Sequence, residues 1–351
     1  MNEFYDSLLG QERASVQDVS LKYGRIIYRC HERLLRAKAV STSPYYVGLS
    51  SDLGSFTHVT KRVVLVAETM LLSDHGIGAV HELGQRESMY QTDFDPDRLQ
   101  AFSNSIQTQR YGMVTKDLAQ LGQWLLDTEP LLRSGLLWYG PVFAEGSTGT
   151  SFHIGGQTTN MPLGPLPSFS DRSIDFVVEH GRAVDVSRTK PLASRVVRPI
   201  LEMDLPFIDG LSLGDFAQVT SEEFDSYRQY RDFMRSRLLE LDDALEAVDS
   251  QVALERVALA IRDELNAATA ELSGAARSRA LSRSGAVLGT TSAVLAAVRP
   301  EALQSALGFS ATIAAGATGL WPTIQAFADT KPKRTRGKWH YVWVLQKKAA
   351  R

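Results

Sequence analysis

Two uncharged runs stand close together near the carboxyl end of this chain. They are Ser284 to Val298 and Ala302 to Ala328, parted only by Arg299-Pro300-Glu301. A helix with no charge on any side has no polar face to offer water, so such runs are expected to enter lipid or be buried in protein. As helices they would measure about 22 Å and about 40 Å, against a hydrocarbon core of roughly 30 Å. The first is too short to cross a bilayer alone. Both are dominated by Ala, Gly, Ser and Thr rather than Leu, Ile or Phe, and Pro322 and Gln325 weaken the second.

Small residues recur in them at four-residue spacing: Gly285, Gly289, Ala293 and Ala297, then Gly308, Thr312 and Gly316. Ladders of this kind let two helix backbones approach closely, whatever the solvent. The expectation is a tight Ala/Gly-rich helical hairpin over 284–328, sheltered in a soluble body. Membrane association is the alternative, because Arg277, Arg279 and Arg283 precede the runs and a basic tail follows them, as the positive-inside pattern requires.

That tail holds a basic patch, Lys331, Lys333, Arg334, Arg336 and Lys338, followed by Trp339, Tyr341 and Trp343. Basic residues beside aromatics can bind nucleic acid. Here Tyr341 and Trp343 alternate with Val342 and Val344, so "HYVWVLQ" is expected as a terminal strand, and nucleic acid is not an expected partner. A net charge of −2 agrees with that. The one cysteine, Cys30, excludes an internal disulfide and a multi-cysteine zinc site. It suits a reducing compartment. The start, "MNEFYDSLLGQERASVQ", has early acids and no apolar core of secretory length, so a bacterial-type cytoplasmic setting is expected.

The pattern along the chain predicts an α+β protein: a mixed α/β part over 1–143, a Gly/Pro/Ser-rich loop over 144–172, a hairpin and connector over 173–210, and a mainly helical part over 211–351. A helix is expected over 16–39, where Val19, Tyr23, Ile26, Ile27, Cys30 and Leu34 recur at helical spacing. Residues 61–74 fit a strand or a helix equally. Another helix is expected over 115–133, with Pro130 bending or ending it. Residues 174–186 read as a hairpin turning at Gly181, and Thr220 with Glu223 reads as the capping box of a long helix.

"SDHGIGAVHELG", 73–84, is the candidate for chemistry. Asp74, His75, His81 and Glu82 are acid/base side chains after an expected strand, and imidazole titrates near neutrality. Named patterns fail, however: Gln85 stands where a zinc protease has its second His, and no G-x-S-x-G or phosphate-binding glycine loop occurs. No metal and no cofactor are therefore expected. Three functions remain open, in this order: a non-enzymatic interaction or scaffold protein with a protein partner, a second copy of itself included; a membrane-associating effector that shelters the 284–328 hairpin; and a hydrolase-like enzyme built on the 73–84 loop.

Overall fold

The computed structural model describes residues 1–40, 43–75, 77–91, 104–152, 157–160, 164–165, 174–203, 205–248, 256 and 337–349. Three helices open the chain: α1 (Asn2–Asp6), α2 (Gly10–Ala14) and α3 (Val16–Val40). Then come β1 (Tyr46–Ser51), α4 (Phe56–Val63), β2 (Thr69–Asp74), β3 (Ala79–Gln91) and β4 (Asn104–Thr115). Helices α5 (Leu118–Asp127) and α6 (Glu129–Ser134) lead to β5 (Leu137–Tyr139) and β6 (Val142–Phe152). After β7 (Gln157–Asn160), β8 (Gly164–Pro165), β9 (Phe176–Glu179) and β10 (Arg182–Asp185), the described elements are helical. They are α7 (Pro191–Glu202), α8 (Pro206–Asp209), α9 (Leu213–Glu222), α10 (Phe224–Glu246) and α11 (Lys338–Ala349). The described strands thus all lie before residue 186, among helices α1–α6, and the described elements after them are helical, an α+β arrangement.

Two sheets result. One has the order β10-β9-β1-β2-β5, with β9, β1, β2 and β5 parallel and β10 antiparallel at the edge. The other is antiparallel, β3-β4-β6-β7, with β8 also paired to β6. The main core lies on one face of the parallel sheet. Val47, Leu49, Met70, Leu72, Leu137, Phe176 and Val178 meet the apolar stripes of the helices there, and the same cluster extends from Phe4 to Leu345.

The expected helix over 16–39 is α3, with Val19, Tyr23 and Ile27 buried at four-residue spacing. It is tied to α5 by the Ser20 hydroxyl, which donates to the Leu118 carbonyl at 2.7 Å. The two helices touch at Gly122, where a Cβ would fall 1.8 Å from the Val16 carbonyl oxygen. Backbone on both sides leaves no flexible atom to yield. Gly122→Ala is therefore expected to cost about 3 kcal/mol through overpacking, read as a lower urea midpoint at unchanged m-value. An unchanged midpoint would show that α3 and α5 do not approach this closely.

Residues 61–74 turn out to be both things: the last turn of α4, a buried turn through Val64–Ala67, and β2. Their apolar run is continuous because every part is buried. Lys61 and Arg62 within it clamp α4 to α8. The Lys61 ammonium donates to the carbonyls of Ile208 and Leu211 at 2.8 and 2.9 Å, and the Arg62 guanidinium pairs with both Asp209 oxygens. The expected helix over 115–133 is two helices, parted at Thr128, with Pro130 in the first turn of α6 where its missing N–H costs nothing. The 174–186 hairpin forms as β9 and β10, and its two turn residues, His180 and Gly181, both have positive φ.

Three expectations are corrected. The terminal strand is a helix, α11. Its buried side chains Trp339, Val342 and Leu345 follow a three-residue step, and α9 and α10 offer it a helical groove rather than a sheet edge. The loop over 144–172 begins as strand β6, whose eleven residues pair with β4 from Val142 to Phe152. A ladder of backbone hydrogen bonds carries this Gly/Ser/Thr segment, and composition does not reveal backbone pairing. Thr220 opens no helix; it lies inside α9, where its hydroxyl bonds to the Phe216 carbonyl and to the Tyr341 hydroxyl. The cap of α9 is Ser212, accepting from the Asp215 N–H.

Candidate functional site

Ligand and reaction sites of parallel sheets gather at the carboxyl ends of the strands, where loops and helix starts converge. Here β1 ends at Ser51 and β2 at Asp74, and the register sets Ser50 beside Ser73 and Ser51 beside Asp74. Successive strand residues point to opposite faces. Ser51 and Asp74 therefore face the helices, with Tyr139 of β5, while Ser50 and Ser73 face away. His75, one residue past β2, follows the Ser73 side.

On that outward side the Ser50 hydroxyl and His75 Nδ1 are 2.9 Å apart. Ser50 is buried and His75 half-buried. With the hydroxyl as donor, Nδ1 accepts, and the imidazole is the neutral tautomer carrying its proton on Nε2. Ser73 is held separately, its hydroxyl donating to the Gly140 carbonyl at 2.6 Å.

On the helix side the Asp74 carboxylate is buried and accepts from the Thr115 hydroxyl at 3.2 Å. The Thr115 carbonyl in turn lies 3.3 Å from His81 Nε2. Tyr139 stands over this group, packed against Tyr23, Phe56 and Trp124. Burial pushes its phenol well above the ordinary value, and the Asp74 charge adds to the rise. The Ser51 and Tyr139 hydroxyls are buried there with no hydrogen-bond partner among the described residues. The link from β2 to β3 is held close at Gly78, where a Cβ would come within 2.3 Å of the Thr115 backbone. At the rim, Lys116 and Asp52 form an exposed pair at 3.8 Å.

The four residues expected to act together are thus divided. Asp74 and His81 meet through Thr115 on the helix side, whereas His75 meets Ser50 on the other. Glu82 is exposed and pairs with Arg110 at 3.3 Å. Ser50 is the residue that the 73–84 stretch could not supply. The likeness of "LSSD", 49–52, to "LLSD", 71–74, gives no signal for it, because those letters align Ser50 with Leu72 whereas the strand register pairs Ser50 with Ser73.

The helix-packing residues Gly285, Gly289, Ala293, Ala297, Gly308, Thr312 and Gly316 lie outside the described residues, as do Lys331, Lys333, Arg334 and Arg336. Of the expected basic patch, Lys338 is described, and it is half-buried. It starts α11 with its ammonium 4.4 Å from the Phe233 ring centre, and burial, with the nearby Arg237 charge, lowers its pKa to about 8. Among the described residues, no group of three or more His, Cys, Asp or Glu is placed to hold a metal ion, and no helix is long and apolar enough to cross a membrane. No protein-family model matches the chain, and neither the curated proteins nor the solved structures compared with it include a match.

Proposed function

We propose that the carboxyl edge of the parallel sheet is a hydrolytic site in which Ser50 is the nucleophile and His75 its general base, acting on a carboxylic ester or thioester. The observation that carries this is the 2.9 Å contact between the Ser50 hydroxyl and His75 Nδ1 at the carboxyl ends of adjacent parallel strands. A serine hydroxyl is a weak nucleophile until a base within hydrogen-bond reach takes its proton. In the forward step Ser50 Oγ bonds to the substrate carbonyl carbon and its proton passes to Nδ1. The bond to the alkoxide or thiolate leaving group breaks, and that group takes the proton from His75. Water then attacks the acyl-serine, giving its proton to His75; the bond from the acyl carbon to Ser50 Oγ breaks, Oγ takes that proton back from His75, and the acid leaves.

Of the third function considered from the sequence, the hydrolase-like enzyme on the 73–84 loop, this reading keeps His75 alone and replaces the divided Asp74, His81 and Glu82 with Ser50. The membrane reading draws on residues 284–328, outside the described part, and the interaction reading on helical surfaces. A cytoplasmic, reducing setting remains part of the proposal on the strength of the single cysteine.

A fluorophosphonate probe, which captures activated serines, tests it on the full chain. Labelling is expected on the peptide carrying Ser50, absent in Ser50→Ala, and slowed about a hundredfold or more in His75→Ala, the range for loss of a general base. Labelling that persists in Ser50→Ala, or no labelling of the wild type, would sink the proposal. Circular dichroism of both variants checks that the strands remain.

A further inference from the structure

The Ser50–His75 pair has an apolar neighbour on its own side of the molecule. In the antiparallel sheet, Val80 of β3, Val114 of β4 and Val142 of β6 stand directly opposite one another. Cross-strand partners share a face. The next residues, Met113 and Phe143, turn the other way, toward Gly24 and Tyr28 of α3. The valine row therefore looks away from α3. Ser50 does the same in the parallel sheet, since Tyr139, on the opposite face, packs on Tyr23 of α3.

Two short links join the sheets, residues 75–78 between β2 and β3 and residues 140–141 between β5 and β6. The valine row is thus at the end of the antiparallel sheet that adjoins the dyad. Val114, Val142 and Ala144 form an apolar cluster separate from the main core. Val80, at the β3 end of the row, is 47% exposed, and Ile77 in the link beside His75 is 74% exposed. Gly112 completes the arrangement: a Cβ there would fall 2.6 Å from a Val80 methyl, so the missing side chain lets Val80 lie across β4.

We infer that this row is the acyl subsite of the hydrolytic site, and that the substrate class is an ester or thioester whose acyl group is an apolar chain of several carbons. The inference rests on the hydrolytic reading of Ser50 and His75. The carbonyl sits at Ser50 and the chain enters at Val80, where the row opens to solvent. Burial of methylenes gives such a subsite its preference, and pockets of this kind commonly discriminate tenfold or more between chains differing by a few carbons.

The test compares para-nitrophenyl acetate with para-nitrophenyl octanoate on the wild type, Val80→Thr and Ser50→Ala. Threonine keeps the β-branched shape the strand needs and replaces a methyl by a hydroxyl. The wild-type kcat/KM is expected to favour octanoate by about tenfold or more. Val80→Thr is expected to shrink that ratio to about threefold or less, and Ser50→Ala to remove both activities. A wild-type ratio near or below one, or a ratio unmoved by Val80→Thr, overturns the acyl subsite. If Ser50→Ala still abolishes both activities in that case, the hydrolytic reading survives. Hydrolysis that persists in Ser50→Ala, or a wild type inactive on both esters, overturns both.

Discussion

A chain ending at Arg336 is expected to lose its cooperative unfolding transition. Helix α11 enters the same core as the parallel strands, although it lies at the other end of the sequence from them. It buries Trp339, Tyr341, Val342 and Leu345 against α9 and α10. Tyr341 packs on the rings of Tyr227 and Tyr230, Trp339 on Phe233, and the Tyr341 hydroxyl meets Thr220. At about 1.5–3 kcal/mol for each large apolar side chain removed from water, the four contribute on the order of 6–12 kcal/mol. That is comparable with the whole net stability of a folded protein, roughly 5–15 kcal/mol.

A finer version separates packing from the hydrogen bond. Tyr341→Ala is expected to cost about 3–5 kcal/mol, as large-to-small changes at buried aromatics do. Tyr341→Phe is expected to cost about 1 kcal/mol, because Thr220 keeps its bond to the Phe216 carbonyl. Urea titrations followed by circular dichroism and tryptophan fluorescence read both. A truncated chain with the wild-type midpoint would mean that α11 does not dock as described.

The second large effect is alkaline unfolding. Six tyrosines, Tyr5, Tyr23, Tyr139, Tyr227, Tyr230 and Tyr341, are buried, and burial raises all their phenol pKa values above the ordinary 10.0, that of Tyr227 to about 12. In the unfolded chain each would ionise near its ordinary value. The folded state therefore holds protons that the unfolded state releases, and stability falls as pH rises. The contribution is fully present below pH 10.0 and is lost as pH climbs from there toward the raised values. Each phenol accounts for about 1.4 kcal/mol per pH unit within that window. Six together would exhaust the fold's stability within roughly one to two pH units.

Lys338 acts in the opposite sense. Its folded value of about 8 lies below the ordinary 10.5, so between those values the unfolded chain binds the extra proton and stability rises with pH. A shallow gain before the steep loss is the expected profile. Of the chain's eleven tyrosines, these six should add their tyrosinate absorbance only as the circular dichroism signal collapses, as a step above that of the others. Gradual ionisation of these tyrosines in a chain that stays folded would contradict their burial.

Several elements were legible from residue order alone because local periodicity decides them. Val19, Tyr23 and Ile27 mark α3 whatever surrounds it, and Gly181 marks the β9–β10 turn because its φ is a local requirement. The same holds for the strands-then-helices order of the chain. Where two patterns overlapped, locality failed. Residues 338–349 satisfy a two-residue and a three-to-four-residue period together, and only the neighbouring α9 and α10 select the helix. Thr220 and Glu223 have the spacing of a cap, yet the groove that receives Tyr341 requires Thr220 inside α9.

The candidate site divides in the same way. Sequence order marked the end of β2 as a place for acid and base groups, and His75 is there. It also grouped Asp74 with His75, which strand geometry forbids, because neighbours on a strand point to opposite faces. Ser50 came to His75 through the parallel pairing of β1 with β2, a contact between residues 25 apart in the chain. Periodicity and turn chemistry are written in short stretches and can be read there. Which strand lies beside which, and so which side chains meet, depends on the packing of the whole chain.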